Sequence, residues 1–142
     1  MNTIKNMFGL CALMLFLFGC SSASFVKHDP TNYPSKPNDY FVPIISTYGP
    51  QLDPQYYMVI GTVEASKDAV TVFDKVSVES VFEMLKQKAK EGGADALIQV
   101  RYQRGVSTGR SVDSVYATGA AIVFKNREEA LKKLKEMGAV FR

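Results

Sequence analysis

The spacing of apolar and polar positions divides the chain into an uninterrupted apolar run, a polar stretch and a patterned remainder. Met7 to Phe18 is the apolar run, preceded by Met1-Asn2-Thr3-Ile4-Lys5-Asn6 and followed by small residues, Gly19-Cys20-Ser21-Ser22-Ala23-Ser24. From Ser21 to Asn38 the apolar residues are scattered among Ser, Pro, Asn and Lys, with no period that would bury a face. Patterning begins near Tyr40. Tyr40 to Tyr48 is strand-like, with Pro43 placing it on a sheet edge because proline has no amide hydrogen to donate. Tyr56 to Val63 is rich in β-branched and aromatic residues and reads as a buried strand. A short extra strand, Val70 to Phe73, is expected between Asp68 and Asp74.

Ser77 to Glu91 carries Val78, Val81, Phe82, Leu85 and Ala89 at helical spacing, with Glu79 early and lysines late to complement the helix dipole. Gly92 is the expected left-handed cap. Ala96 to Tyr102 reads as the next strand, parallel to Tyr57–Val63 after a right-handed crossover through the helix. Gln103 to Asp113 reads as a polar loop, and Ser114 to Phe124 as a strand returning antiparallel. Asn126 caps a last helix that puts Ala130, Leu134, Met137 and Phe141 on one face. The predicted fold is α+β: a small mixed β-sheet, one crossover helix and a C-terminal helix, both helices on one side.

Length and charge narrow the function class. The 142 residues hold one ordinary domain, and a formal charge of +3 is too small to imply a nucleic-acid partner. The apolar run is 12 residues long. As a helix it rises about 18 Å, short of the roughly 30 Å of a bilayer core, so a cleaved export signal fits better than a permanent span.

Leu17-Phe18-Gly19-Cys20 resembles the lipobox of bacterial lipoproteins, in which cleavage falls between the residues here numbered Gly19 and Cys20 and the cysteine is lipidated. The alternative is an ordinary secretory signal with an incidental Cys20; Cys11 lies inside the apolar run and reads as signal filler. The expected organisation is a signal peptide over 1–19, a lipidated Cys20 with a flexible tether to residue 39, and a domain over 40–142. Cleavage would leave Cys20 as the one cysteine, excluding a disulfide within the mature chain. Acyl chains bury about 0.8 kcal/mol per methylene, and two or three of them hold a protein on a bilayer almost permanently. Ser21, rather than Asp, follows the cysteine, which under enteric-type sorting points to the outer membrane and the periplasmic side.

The succession Ile60-Gly61-Thr62-Val63-Glu64-Ala65, an amphipathic helix, Gly92 to Tyr102 (GGADALIQVRY) and Ala117 to Phe124 (ATGAAIVF) resembles the YbjQ-like, or heavy-metal-binding-domain, family. It is distantly similar to the stress-sensing lipoprotein of the Rcs phosphorelay, although that protein's disulfide-dependent sensing does not transfer to a chain with one mature cysteine. The resemblance covers roughly Tyr56 to Phe124 and implies an α+β domain and, from ring-forming members, self-association.

Candidate chemistry is sparse. From Tyr40 to Arg142 there is no Cys and no His, which leaves no Ser/His or Cys/His catalysis and no soft or imidazole ligand for a heavy metal. His28 with Asp29 lies in the expected tether, and Met58, Met84 and Met137 are spaced as core residues rather than as a thioether site. Glu64, Asp68 and Asp74 form either a carboxylate cluster or solvated turn residues. Asp95, between a helix cap and a strand, is expected to accept from turn amides. Arg104 and Arg110 flank a Gly/Ser/Thr loop that reads as a hairpin tip or as a partner-contacting tip. Lys125, Arg127, Lys132, Lys133, Lys135 and Arg142 read as a solvated helix face, with anionic head groups as the alternative contact. Tyr56, Tyr57, Tyr102 and Tyr116 read as cross-strand packing. The sequence predicts a non-enzymatic structural or protein-interaction module of the envelope, without cofactor, metal or catalytic residues. A periplasmic ligand-binding protein for metal ions or a small anion is the alternative.

Overall fold

The computed structural model describes residues 20–45, 51–109 and 111–139. Four strands, β1 (Ser21–Lys27), β2 (Tyr57–Asp68), β3 (Ala96–Val106) and β4 (Asp113–Phe124), form one sheet in the order β1-β2-β4-β3. Two helices complete the α+β fold, α1 (Val78–Glu91) and α2 (Arg127–Glu136). All neighbouring strands pair antiparallel. β3 does run in the direction of β2, as the crossover requires, but β4 lies between them. The expected mixed sheet is thus antiparallel through its four strands, and among the described residues parallel pairing is confined to the bridge between Ile44 and Leu97. Pro43 takes part there in the only way its chemistry allows, its carbonyl accepting from Leu97 N–H at 2.9 Å. Residues 46–48 of the expected first strand, Phe141 of the last helix and Arg110 lie outside the described residues.

The two helices lie on opposite faces rather than on one. Val81, Leu85 and Ala89 of α1 share a buried cluster with Val63, Ala65, Leu97, Val115, Ala117 and Ala121. Ala130 and Leu134 of α2 share a second cluster with Ala96, Ile98, Ile122 and Leu52. Residues 96 and 98 against 97, and 122 against 121, alternate between the faces as a pleated strand demands. Because α2 follows the end of β4 and packs at the start of β3, it covers only one half of its face.

The stretch expected as a tether is structured. β1 pairs with β2 from Ser21↔Lys67 to Lys27↔Gly61, and Phe25 packs against the core. The ring of Phe25 lies over Gly61 and Gly92, where any Cβ would collide with it. Beyond β1, Ser35 Oγ donates to Glu91 O at 2.6 Å, Lys36 N–H to Lys90 O at 3.0 Å and Lys90 Nζ to Asn38 O at 2.8 Å, so the proline-rich stretch straps the C-terminus of α1. A polar, proline-containing segment is held here by hydrogen bonds and by a few separated aromatic side chains, Phe25, Tyr33 and Tyr40, packed against the core rather than by a periodic apolar face, which is why its composition reads as unstructured.

Val70 to Phe73 is a turn, closed by Asp74 accepting from Thr71, not a strand. The left-handed residue after α1 is Gly93 (φ +83), while Gly92 is right-handed (φ −76). β3 continues through Gln103 to Val106, shortening the polar loop; its pairing shifts between Ile98 and Arg101, where Gln99 adopts φ +53 as the extra residue of a bulge.

Candidate functional site

The register gives the sheet two distinct ends. The N-terminus of β1, the C-termini of β2 and β3 and the N-terminus of β4 meet at the proximal end, which begins at Cys20; the opposite termini meet at the distal end.

At the distal end, Asp95 is 8% exposed, the one charged side chain among the buried residues described. A carboxylate there needs partners to offset its lost hydration. It accepts from Phe124 N–H at 2.9 Å and Tyr40 OH at 3.1 Å, and pairs with Lys36 Nζ at 2.7 Å. Lys36 and Arg127 lie over the Tyr40 ring at 5.4 and 5.0 Å. Burial, then the adjacent Asp95 carboxylate, pushes the Tyr40 phenol up to about 12. The structural role expected of Asp95 holds, with strand-end, phenol and ammonium donors in place of turn amides. Lys36 and Tyr40 are not identified as its partners by the sequence pattern, nor Arg127 as the cation over Tyr40, although an Asp within Ala-Asp-Ala-Leu-Ile already requires some partner.

At the proximal end, Asp113 organises a second network. Its carboxylate accepts from Val76 N–H at 2.7 Å and pairs with Arg104, whose other guanidinium nitrogen donates to Val76 O at 2.7 Å. The Val76 N–H, helped by the Arg104 guanidinium, holds Asp113 below the usual carboxylate range. Arg104, one of the two arginines beside the loop read as a hairpin tip or a partner-contacting tip, braces the loop ahead of α1. Cys20 is exposed, and its carbonyl accepts from Asp68 N–H at 2.8 Å, which fixes it to the end of β2.

Between the ends, the half of the sheet face not covered by α2 is open and polar. Ser22 and Ser66 share a hydrogen bond at 2.8 Å, and Thr62 Oγ1 lies 3.3 Å from His28 Nε2. Tyr116 is opposite Ser66 in the register, and its phenol is raised by burial and by its hydrogen bond with Glu64. Tyr116 and Tyr102 are exposed; Tyr102 meets Phe82 edge-on at 5.9 Å, on the α1 side.

The remaining candidates are dispersed. Glu64 points to Tyr116, Asp74 closes the Thr71 turn, and Asp68 ends β2, so the three do not form a carboxylate cluster. No group of three His, Cys, Asp or Glu residues with metal-site geometry occurs among the described residues. Asp29 is held below the usual carboxylate range by the N–H of Thr31 and also accepts from Tyr33. Met84 and Met137 pack against the two clusters as core residues, whereas Met58 is exposed. Among the described residues no helix is long and apolar enough to cross a membrane.

No family model matches the chain, and no curated protein is similar to it. A Francisella virulence factor, FvfA, in an orthorhombic crystal form, aligns at 17% identity over 72% of this chain and 97% of its own, with a TM-score of 0.44. That likeness is too loose to transfer a fold or an activity.

Proposed function

We propose that the chain is a lipid-anchored envelope lipoprotein, held through Cys20, whose YbjQ-like α+β domain serves as a non-enzymatic structural or protein-interaction module on the periplasmic side of the outer membrane. The observation that carries this reading is the position of Cys20. The lipobox-like Leu17-Phe18-Gly19-Cys20 runs directly into β1, so the residue that the motif would lipidate is exposed at one end of the sheet and hydrogen-bonded to it. The interaction role is supported by the open sheet face, where hydroxyl and phenol groups from three strands and the imidazole of His28, just beyond β1, are presented together and Tyr116 offers an exposed aromatic anchor.

With β1 starting at Ser21, the domain would sit close to the bilayer instead of hanging tens of Å below it on a tether. Metabolic acyl labelling of the wild-type chain and of Cys20→Ala tests the anchor. Label on the wild type, with loss of label and release from the membrane fraction in Cys20→Ala, is the expected result; label retained in Cys20→Ala would contradict it.

A further inference from the structure

The proximal end carries apolar side chains that the fold leaves uncovered. Beyond Asp68, the segment leading to α1 exposes Phe73 (92%), Val72 (59%) and Val70 (37%). This is a braced loop, not a frayed one. Thr71 N–H and Oγ1 donate to the Asp74 carboxylate at 3.0 and 2.8 Å, closing the tip. The flanks are tied to one residue: Ala69 N–H donates to Asp113 O at 2.8 Å and Val76 N–H to the Asp113 carboxylate at 2.7 Å. Val106, also exposed, stands opposite Asp113 in the register.

A braced turn that directs a Phe outward differs from the scattered single apolar residues of an ordinary surface. What covers it is indicated by its neighbour in the sheet. Asp68, the residue before the loop, donates its N–H to Cys20, so the chain is attached to lipid, on the reading above, immediately beside the loop and with no slack between them. Lys67 and Lys75 flank the apolar residues, with ammonium groups on stems long enough to reach phosphates while the loop tip lies deeper.

We infer that loop 69–75 is a second membrane contact, in which Phe73, with Val72 and Val70, enters the headgroup–acyl boundary of the phospholipid bilayer that holds Cys20. The inference rests on the anchoring proposed above. Two attachment points define an orientation, where one flexible acyl link defines only a distance: the sheet stands with its proximal end on the bilayer and presents its distal end and open face to the periplasm.

The chain has no tryptophan, so one introduced indole reports a single site. Phe73→Trp and, near the other end of β2, Val59→Trp would be prepared as full-length, membrane-processed protein in vesicles of phosphatidylethanolamine and phosphatidylglycerol, with acyl labelling of each. The expected result is blue-shifted emission from Phe73→Trp, quenched by brominated acyl chains at a depth of about 5–10 Å below the headgroups, and water-like emission from Val59→Trp. Water-like emission from a labelled Phe73→Trp chain would overturn the loop contact and leave the anchor standing. A blue shift without bromine quenching would also overturn it, because protein rather than lipid would then cover the loop. Absence of both label and shift would overturn loop contact and anchor together, whereas a quenched blue shift in an unlabelled chain would support the loop contact and remove the anchor.

Discussion

The two ends of the sheet handle exposed and buried chemistry in opposite ways. At the distal end a buried carboxylate, Asp95, draws a backbone N–H, a phenol and an ammonium inward. At the proximal end the polar groups of loop 69–76 are equally well bonded, through Thr71, Asp74 and Asp113, but the result is to turn Phe73 outward. Hydrogen bonding thus serves closure at one end and presentation at the other. The first pattern is what stability requires of a small domain without a disulfide; the second adds nothing to folding and so points to an external surface.

Substitutions at the two ends should therefore separate stability from surface behaviour. The largest loss is expected for Asp95→Ala, which strips partners from Phe124 N–H, Tyr40 OH and Lys36 together; about 3 kcal/mol should be lost in urea unfolding of detergent-solubilised protein. A loss below about 0.5 kcal/mol, the range of ordinary surface substitutions, would mean that the distal network does not hold the domain together.

High pH probes the same network. The Tyr40 phenol is raised in the folded state, so its contribution is fully present below the unfolded value near 10 and disappears as pH rises through about 12. Stability should fall across that window, and Tyr40→Phe should flatten the fall; an unchanged slope would remove Tyr40 as its source. Asp113 behaves with the opposite sign. Its lowered value contributes stability above the usual carboxylate range that is lost as pH falls through the folded value, at the proximal end.

Arg104→Ala should have a smaller and local effect. Hydrogen exchange should accelerate at the amides of Ala69 and Val76 while those of Phe124 and Leu97 stay protected; acceleration at both ends would deny the two networks their independence. The smallest effect is expected for Phe73→Ser. Removing this aromatic ring should change folding stability by no more than about 0.5 kcal/mol, and a loss of core-like size would show that Phe73 is buried in the working state of the free domain.

How far these features were legible follows from what each depends on. α1 is readable because its apolar stripe and its charge order are both local; the structure adds Ser77 as its N-cap, its Oγ accepting from Ser80 N–H. The cap of α2 is equally local, Asn126 accepting from Glu129 N–H. β1 is not readable, because Ser-Ser-Ala-Ser-Phe-Val-Lys becomes a strand through the edge that β2 offers and through the space above Gly61 and Gly92 that receives Phe25. Val70 to Phe73 misleads in the other direction, since β-branched composition suggests a strand where the Thr71–Asp74 turn chemistry decides the outcome. Asp95 was legible as structural from its place between a helix cap and a strand, but its partners at Lys36 and Tyr40 lie more than fifty residues away. Cys20 was legible as a motif; that it abuts a folded edge, and not a tether, was not.

With Cys20 and loop 69–75 both on lipid, as proposed, the Cys20 end faces the bilayer and the Asp95 end faces away from it. Hydrogen exchange of the lipidated chain, compared between phospholipid vesicles and detergent micelles diluted until the protein is monomeric, tests it most directly. Added protection on vesicles is expected in 69–75 and around Val106, with no change in 36–41 or at Phe124. Added protection at the distal end, or equal exchange in both settings throughout, would contradict it.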